Sequence, residues 1–374
     1  MSLKQNVAAN LVANEFGTAI NCCTIDNGYL FLIKKENNLQ LIAAVQGECA
    51  WEKSWQAENV TKKDGVTLAN LKMNANNAAL VRRYIKWTCP SACGTMGLSV
   101  GIMNFGENIS ENVINAFKNR QIKPVLGDYT PQILQEKNKN FLQITDTATW
   151  NVLTADYRDG YGINAAGLKT EEEIVKALLY GYSMIGLDAT DKIVQENVKL
   201  NDEEIAKKFE EFPIEFQAAV NASYLNAEFQ IGKHKITFTP ETLHRIILEY
   251  GEVIMHVQYI YNTYLKATPW PIDFELTLHP ANRPLTKEEH YLIANELERN
   301  GVRIGTFLFD LKDNFSDEEL QIHAEIANTF EYRLALANAD LCQNDFKSFL
   351  KIAKNKCHFK VSGEKATLEL LKKL

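Results

Sequence analysis

No apolar run in the 374-residue chain approaches the length that crosses a membrane, and Met1 to Asn6 lack the hydrophobic core of an export signal. Both absences point to a cytoplasmic protein with no membrane partner. There is no basic stripe with interleaved aromatics, and a net charge of -7 repels a phosphate backbone on average, so no nucleic-acid partner is expected. Seven cysteines is an odd number, and without an export signal they read as reduced thiols. Cys22 and Cys23 are adjacent in a strand-like run and point to opposite faces. Cys89 and Cys93 form the remaining close pair, with no second Cys/His pair near enough to complete a zinc site. Gly160-Tyr-Gly162 resembles part of a dinucleotide loop but precedes a strand instead of following one, so no nicotinamide cofactor is expected. Internal repeats and low-complexity segments are absent too.

What is present is the composition of a globular protein, 46% hydrophobic and 23% charged. The length fits two or three domains, or one α/β barrel with attachments. Residues 1–90 read as a separate cap and connector. Thr18 to Thr24, Tyr29 to Lys34 and Leu39 to Val45 are strand-like runs, with turns at Asp26-Asn27-Gly28 and Glu36-Asn37-Asn38, which predicts a three-stranded meander. Residues 65–87 read as a connecting stretch with a short helix from Ala78 to Ile85.

From about residue 97 strands alternate with helices. The strands are Leu98–Met103, Ile122–Leu126, Tyr161–Ala165, Ser183–Leu187, Ile272–Leu278, Val302–Phe309, Tyr332–Ala337 and Cys357–Val361. Parallel neighbours need a crossover, and a helix is the usual one. Thr170-Glu-Glu-Glu173, Thr286-Lys-Glu-Glu289 and Ser316-Asp-Glu-Glu319 fit capping boxes that start three of the helices. Thr239-Pro240 opens another with proline at the first helical position. Eight such units over residues 91–374 predict a (β/α)8 TIM-type barrel, with a doubly wound open sheet as the alternative. Residues 192–238 interrupt the pattern as an α-rich insertion, a helical pair plus a small hairpin.

One strand stands out. Ile272, Phe274, Leu276 and Leu278 fall on one face, and Asp273, Glu275, Thr277 and His279 on the other. A polar file of this kind suits solvent at a sheet edge or the lumen of a barrel, and the flanking βα units favour the lumen. In a barrel the site forms at the C-terminal strand ends, which here offer Asn104, Asp128, Asn164, Asp188, His279, Asp310, Asn338, Lys360 and Ser362. On the last strand His358 and Lys360 share a face. Spacing alone therefore selects Glu275, His279, His358 and Lys360. Carboxylate plus imidazole suits a divalent metal or acid/base work, and lysine suits an anionic group. His234, His244, His290 and His323 read as surface or packing residues.

Ala148-Thr-Trp150, Tyr157-Arg158-Asp-Gly160-Tyr-Gly162, Leu168-Lys169-Thr-Glu-Glu172 and Asp188-Ala-Thr-Asp191 resemble the D-tagaturonate/D-fructuronate epimerase family. The likeness runs from about residue 90 to the C-terminus, with Tyr250-Gly251, Asp273-Phe-Glu275, Ile322-His-Ala324 and His358-Phe-Lys360 in matching order. It implies an isomerase of carbohydrate metabolism that interconverts two ketohexuronates at C4 with a divalent metal. Glu275 and Lys360 would then be catalytic, Glu275 as acid/base or ligand and Lys360 gripping a carboxylate or polarising a carbonyl. Arg158, Lys169, Asp188 and His279 would bind the sugar acid, and His358 with Glu275 the metal.

The chain also departs from the family it resembles. Gly101-Ile-Met-Asn-Phe105 stands where the family has Gly-Asp-Arg-Leu-Gly, and Asn164-Ala-Ala-Gly-Leu-Lys169 where it has Asp-Ala-Asp-His-Leu-Lys. His279-Pro280 replaces an acidic pair, and Leu336-Ala-Asn-Ala-Asp340 replaces Ile-His-Ser-Gly-Ser-Asp. Each change removes a charge or a metal-binding type. Two further readings follow: a barrel without catalysis that binds a sugar acid or a protein partner, and a metal-dependent aldolase on the same scaffold.

Overall fold

The computed structural model describes residues 3–374 apart from 36–37, 48, 50–51, 104–108, 281–282, 314 and 342–345. Five antiparallel strands form the cap: β1 (Ala19–Ile25), β2 (Gly28–Lys35), β3 (Asn38–Val45), β4 (Ala57–Lys63) and β5 (Val66–Leu71), in the order β1-β2-β3-β5-β4. The first turn follows the sequence, with Asn27 at φ 54 supplying the left-handed position. Gly28 is required for space, because a Cβ there would meet the Ala44 carbonyl oxygen at 2.2 Å. The second expected turn lies at residues 36–37, outside the described residues.

The meander is thus larger than its sequence predicts. β4 is almost wholly exposed and reads Ala-Glu-Asn-Val-Thr-Lys-Lys, with no apolar face to announce it. Its lysines suit an edge strand, which must discourage pairing with another chain. The helix Gln5–Glu15, also unannounced, buries only Ala8, Leu11 and Val12 and covers one face of the cap sheet. The other face packs on the helix Ala75–Tyr84, on Trp87 of the connector, and on Leu153 and Trp150 of the barrel.

Eight parallel strands close the barrel: β6 (Leu98–Met103), β7 (Ile122–Tyr129), β8 (Gly162–Leu168), β9 (Met184–Asp188), β12 (Asp273–Thr277), β13 (Thr306–Asp310), β14 (Arg333–Ala337) and β15 (Cys357–Ser362). Closure comes from β15 pairing with β6, Lys360 opposite Gly101. Between β9 and β12 lie the helices Asp202–Glu210 and Ile214–Tyr224 and a hairpin of β10 (Phe229–Ile231) and β11 (His234–Ile236). The three capping boxes are formed, at Thr170, Thr286 and Ser316. Pro240 opens the long helix Pro240–Ile260, which ends in a π-helical turn at Tyr261–Leu265.

Alternation along each strand divides the molecule into two interiors. Outward residues such as Phe274, Leu276, Phe307, Leu334, Phe359 and Val361 pack against the helices in the main core, each worth about 1.5–3 kcal/mol of burial. His290 and His323 belong to this outer layer. Their Nδ1 atoms are 2.9 Å apart, and the Tyr332 hydroxyl lies 2.6 Å from His290 Nε2, with Phe307 and Phe309 around them. Inward residues are of another kind. Apart from apolar residues such as Val125, Met184, Leu308, Ala335 and Ala337, they are largely polar or glycine.

Candidate active site

The polar file on β12 faces the lumen: Asp273, Glu275 and Thr277 are all buried. Asp273, at the floor, accepts the backbone N–H groups of Cys93 (2.6 Å) and Gly94 (3.0 Å). Those residues belong to the connector from the cap, so it closes the bottom of the barrel.

Two residues higher, Glu275 Oε1 lies 2.5 Å from Lys360 Nζ, and the same ammonium donates to Asp128 Oδ1 at 3.2 Å. Asn164 donates from one Nδ2 to both carboxylates, at 3.1 Å each. Thr306 Oγ1 donates to Glu275 Oε2 at 3.3 Å. His358 Nε2 lies 3.5 Å from Asp128 Oδ2, while its Nδ1 lies 2.8 Å from Ser99 Oγ. Ser99 Oγ in turn accepts a hydrogen bond from Arg333 Nη1 at 2.9 Å. Gly101 leaves the room for this cluster, since a Cβ there would sit 2.4 Å from Asp128 Oδ2. The Lys360 ammonium is thus paired with two carboxylates, as a buried charge requires.

Protonation follows from the geometry. Burial works to raise the Asp128 carboxyl, but Lys360 and His358 outweigh it and hold the group below the usual carboxylate range. Burial works against the Lys360 charge, yet Asp128 and Glu275 hold it above the ordinary lysine value. Burial, with help from Lys360, keeps His358 neutral. Ser99 Oγ accepts from Arg333 and keeps a hydrogen and a second lone pair for His358 Nδ1. His358 Nε2 and Asp128 Oδ2, both buried, face each other at 3.5 Å without a hydrogen bond.

At the mouth, Asp188 pairs in register with Thr277, about 7 Å above Glu275 along the strand. Lys169 reaches over to Asp191 at 2.9 Å and Asp188 at 3.7 Å. Asp188 Oδ1 accepts the Thr190 N–H at 3.0 Å, and Thr190 Oγ1 accepts the His279 backbone N–H at 3.0 Å. The rim continues through Asp310, which accepts from Asn338 Nδ2 at 2.7 Å.

Of the sequence candidates, the structure brings Glu275, His358 and Lys360 together in the lumen and Lys169 onto Asp188 above them, with the His279 backbone tied to Asp188 through Thr190. His279 is exposed, two residues beyond the end of β12. Arg158 is elsewhere. It precedes the first residue of β8, at the floor, where its guanidinium lies 5.1 Å from the Trp87 ring and donates to Asp156 at 2.7 Å. It joins barrel to connector and is about 20 Å of strand from the mouth. Asn104 lies outside the described residues. Asp128 and Asn164 were visible as strand ends, but nothing in the sequence tied them to Lys360. Ser99 and Arg333 were missed; their signal is the polar residue on the inward register of β6 and β14.

The residues do not fit a divalent metal. Among the described residues, no three His, Cys, Asp or Glu side chains converge as a ligand set. Of the pair put forward from sequence, Glu275 is engaged by Lys360, Asn164 and Thr306, and His358 holds Ser99 through Nδ1. Lys360 sits where the cation would.

A model of the tagaturonate epimerase family matches residues 20–373. The tagaturonate/fructuronate epimerase of Thermotoga maritima is 25% identical over 354 residues, which cover 90% of this chain and 71% of that protein. The native crystal structure of the fructuronate-tagaturonate epimerase of Cohnella laeviribosi superposes with a TM-score of 0.81 at 25% identity, covering 96% of this chain and 75% of that one. Its complex with two glycerols gives a TM-score of 0.82 with the same coverage and identity.

Proposed function

The chain belongs to the tagaturonate epimerase family, and from that premise we propose that it inverts a ketohexuronate at C4, taking tagaturonate to fructuronate and back in hexuronate breakdown. The observation that carries this reading is the Lys360 ammonium held between two carboxylates at the barrel centre, 2.5 Å from Glu275 and 3.2 Å from Asp128.

The chemistry asks for such a group. The C4 proton lies β to the C2 carbonyl and is not acidic, so direct deprotonation is not available. Cleavage of C3–C4 is. The C4 hydroxyl gives its proton to Glu275, and the C4 oxygen becomes an aldehyde. The C3–C4 electron pair moves onto C3 and the C2 carbonyl as an enediolate, whose oxygen accepts a hydrogen bond from Lys360. Re-addition to the other face of the aldehyde, with the proton returned from Glu275, gives the C4 epimer. Asp128 and Asn164 position Lys360 and keep it charged, and a preorganised donor to such an oxyanion is worth about 10²–10³ in rate. Lys169, seated against Asp188 and Asp191, takes the substrate carboxylate, with His279 beside it.

A second reading is a barrel that binds a sugar acid without turning it over. It is favoured by the closure of the cluster: Asp128, Glu275, His358 and Lys360 are 0–2% exposed and bond chiefly to one another. An NMR time course with tagaturonate separates the two. Fructuronate should accumulate with wild type, and Glu275→Gln should lower the rate at least about 100-fold while its melting temperature stays within a few degrees. A folded wild-type protein that binds tagaturonate but forms no fructuronate would leave the binding reading in place. Accumulation of cleavage fragments would instead make it an aldolase.

A further inference from the structure

We propose that Lys360 is the resident cation of this site, occupying the position a divalent metal would need and allowing the barrel to do its chemistry without one. The inference rests on the epimerase reading for its chemistry and on the cluster itself for its geometry.

Three observations point the same way. First, the two carboxylates already have a cation: Asp128 and Glu275 both face Lys360. A dication added beside it would set three positive charges against these two carboxylates in a site with at most 2% exposure, and buried excess charge is strongly unfavourable. Second, His358 Nδ1 is held by Ser99 Oγ at 2.8 Å, which accepts in turn from Arg333, and Nε2 lies 3.5 Å from Asp128 Oδ2. Among the described residues no third His, Cys, Asp or Glu side chain joins them as a ligand set. Third, the lysine is built into the packing: Gly101, opposite Lys360 in register, leaves the space that Asp128 and His358 occupy, since a Cβ there would lie 2.4 Å from Asp128 Oδ2 and 3.1 Å from His358 Nε2.

A lysine ammonium can stand in for a metal where the task is to stabilise an enediolate oxygen: it is a point charge with three donors. Two of those donors are directed at Glu275 and Asp128. The third is available to a substrate oxygen.

The test uses full-length protein stripped with EDTA, then titrated with Co²⁺ under visible spectroscopy and assayed with tagaturonate. The inference expects no protein-bound Co²⁺ band, turnover within about twofold with or without EDTA or Co²⁺, and at least about 100-fold less turnover in Lys360→Met that Co²⁺ does not restore. Binding of one equivalent of Co²⁺ that disappears in His358→Gln would overturn it, as would turnover that requires the metal. Should Lys360→Met fail to fold, the wild-type titration and assay decide the matter unaided. Absence of turnover under every condition would sink the epimerase reading instead, and the Co²⁺ titration would still settle whether Lys360 is the resident cation.

Discussion

Lys360→Met is also the sharpest probe of how the barrel centre is held together. Methionine keeps the length of the side chain and removes its charge, leaving Asp128 and Glu275 facing each other. Both carboxylate oxygens lie within 3.2 Å of the missing nitrogen, so they are about 5 Å apart, and their repulsion at an effective dielectric near 20 is about 3 kcal/mol. That agrees with the 3–5 kcal/mol typical of breaking a buried pair from one side. The repulsion also raises one of the two carboxyls. A carboxyl whose folded pKa lies above its unfolded value contributes stability below the unfolded value and loses it as pH rises through the folded one. Lys360→Met should therefore be about 3 kcal/mol less stable than wild type at pH 8 and recover much of that by pH 5. Adding Glu275→Gln should restore most of the loss at pH 8, and a double-mutant cycle followed by urea unfolding with circular dichroism measures the coupling. A single variant within 1 kcal/mol of wild type at pH 8, or a loss with no pH dependence, would refute an ionised, mutually paired cluster.

The outer histidine pair sets the acid limit of the wild type. Burial holds His323 at about 4 and His290 well below its ordinary value, so both fold uncharged. Their contribution is complete above pH 6.5 and is lost as pH falls towards 4, about 3 kcal/mol from His323 alone; urea midpoints for His323→Phe should decline less over that range. Arg158→Ala should leave kcat/KM within about twofold and cost about 1 kcal/mol through the lost contact with Trp87, measured by steady-state kinetics and thermal unfolding; a large rise in KM would return it to the substrate site. Lys169→Met should raise KM for tagaturonate about tenfold with little change in kcat, as loss of binding made equally in ground and transition states requires.

The barrel was legible because its signals are local. Capping boxes at Thr170, Thr286 and Ser316 and the two-residue period of β12 depend on neighbours in sequence. The lumen-facing polarity of Glu275 and Lys360 was legible for the same reason, since register along a strand assigns each side chain to a face. Pairing between them was not, because Asp128, Asn164, Glu275 and Lys360 come from four strands and meet only when the sheet closes. The place of Arg158 at the floor was not legible, because likeness to a family does not distinguish floor from mouth. β4 had no apolar face to read, and the helix Gln5–Glu15 only a narrow one.

The order of the strands gives the closed barrel a history. Asp128 and Glu275 are made early and in mid-chain, but Lys360 arrives on β15, which pairs with β6 to complete the ring. A chain emerging from the ribosome thus carries two lumen carboxylates without their cation until β15 is made, and burying them before then is uphill. The final strand acts as a latch: it supplies both the hydrogen-bonded edge that closes the cylinder and the charge that lets its centre become dry. Premature collapse is discouraged by the same two carboxylates that later serve the site.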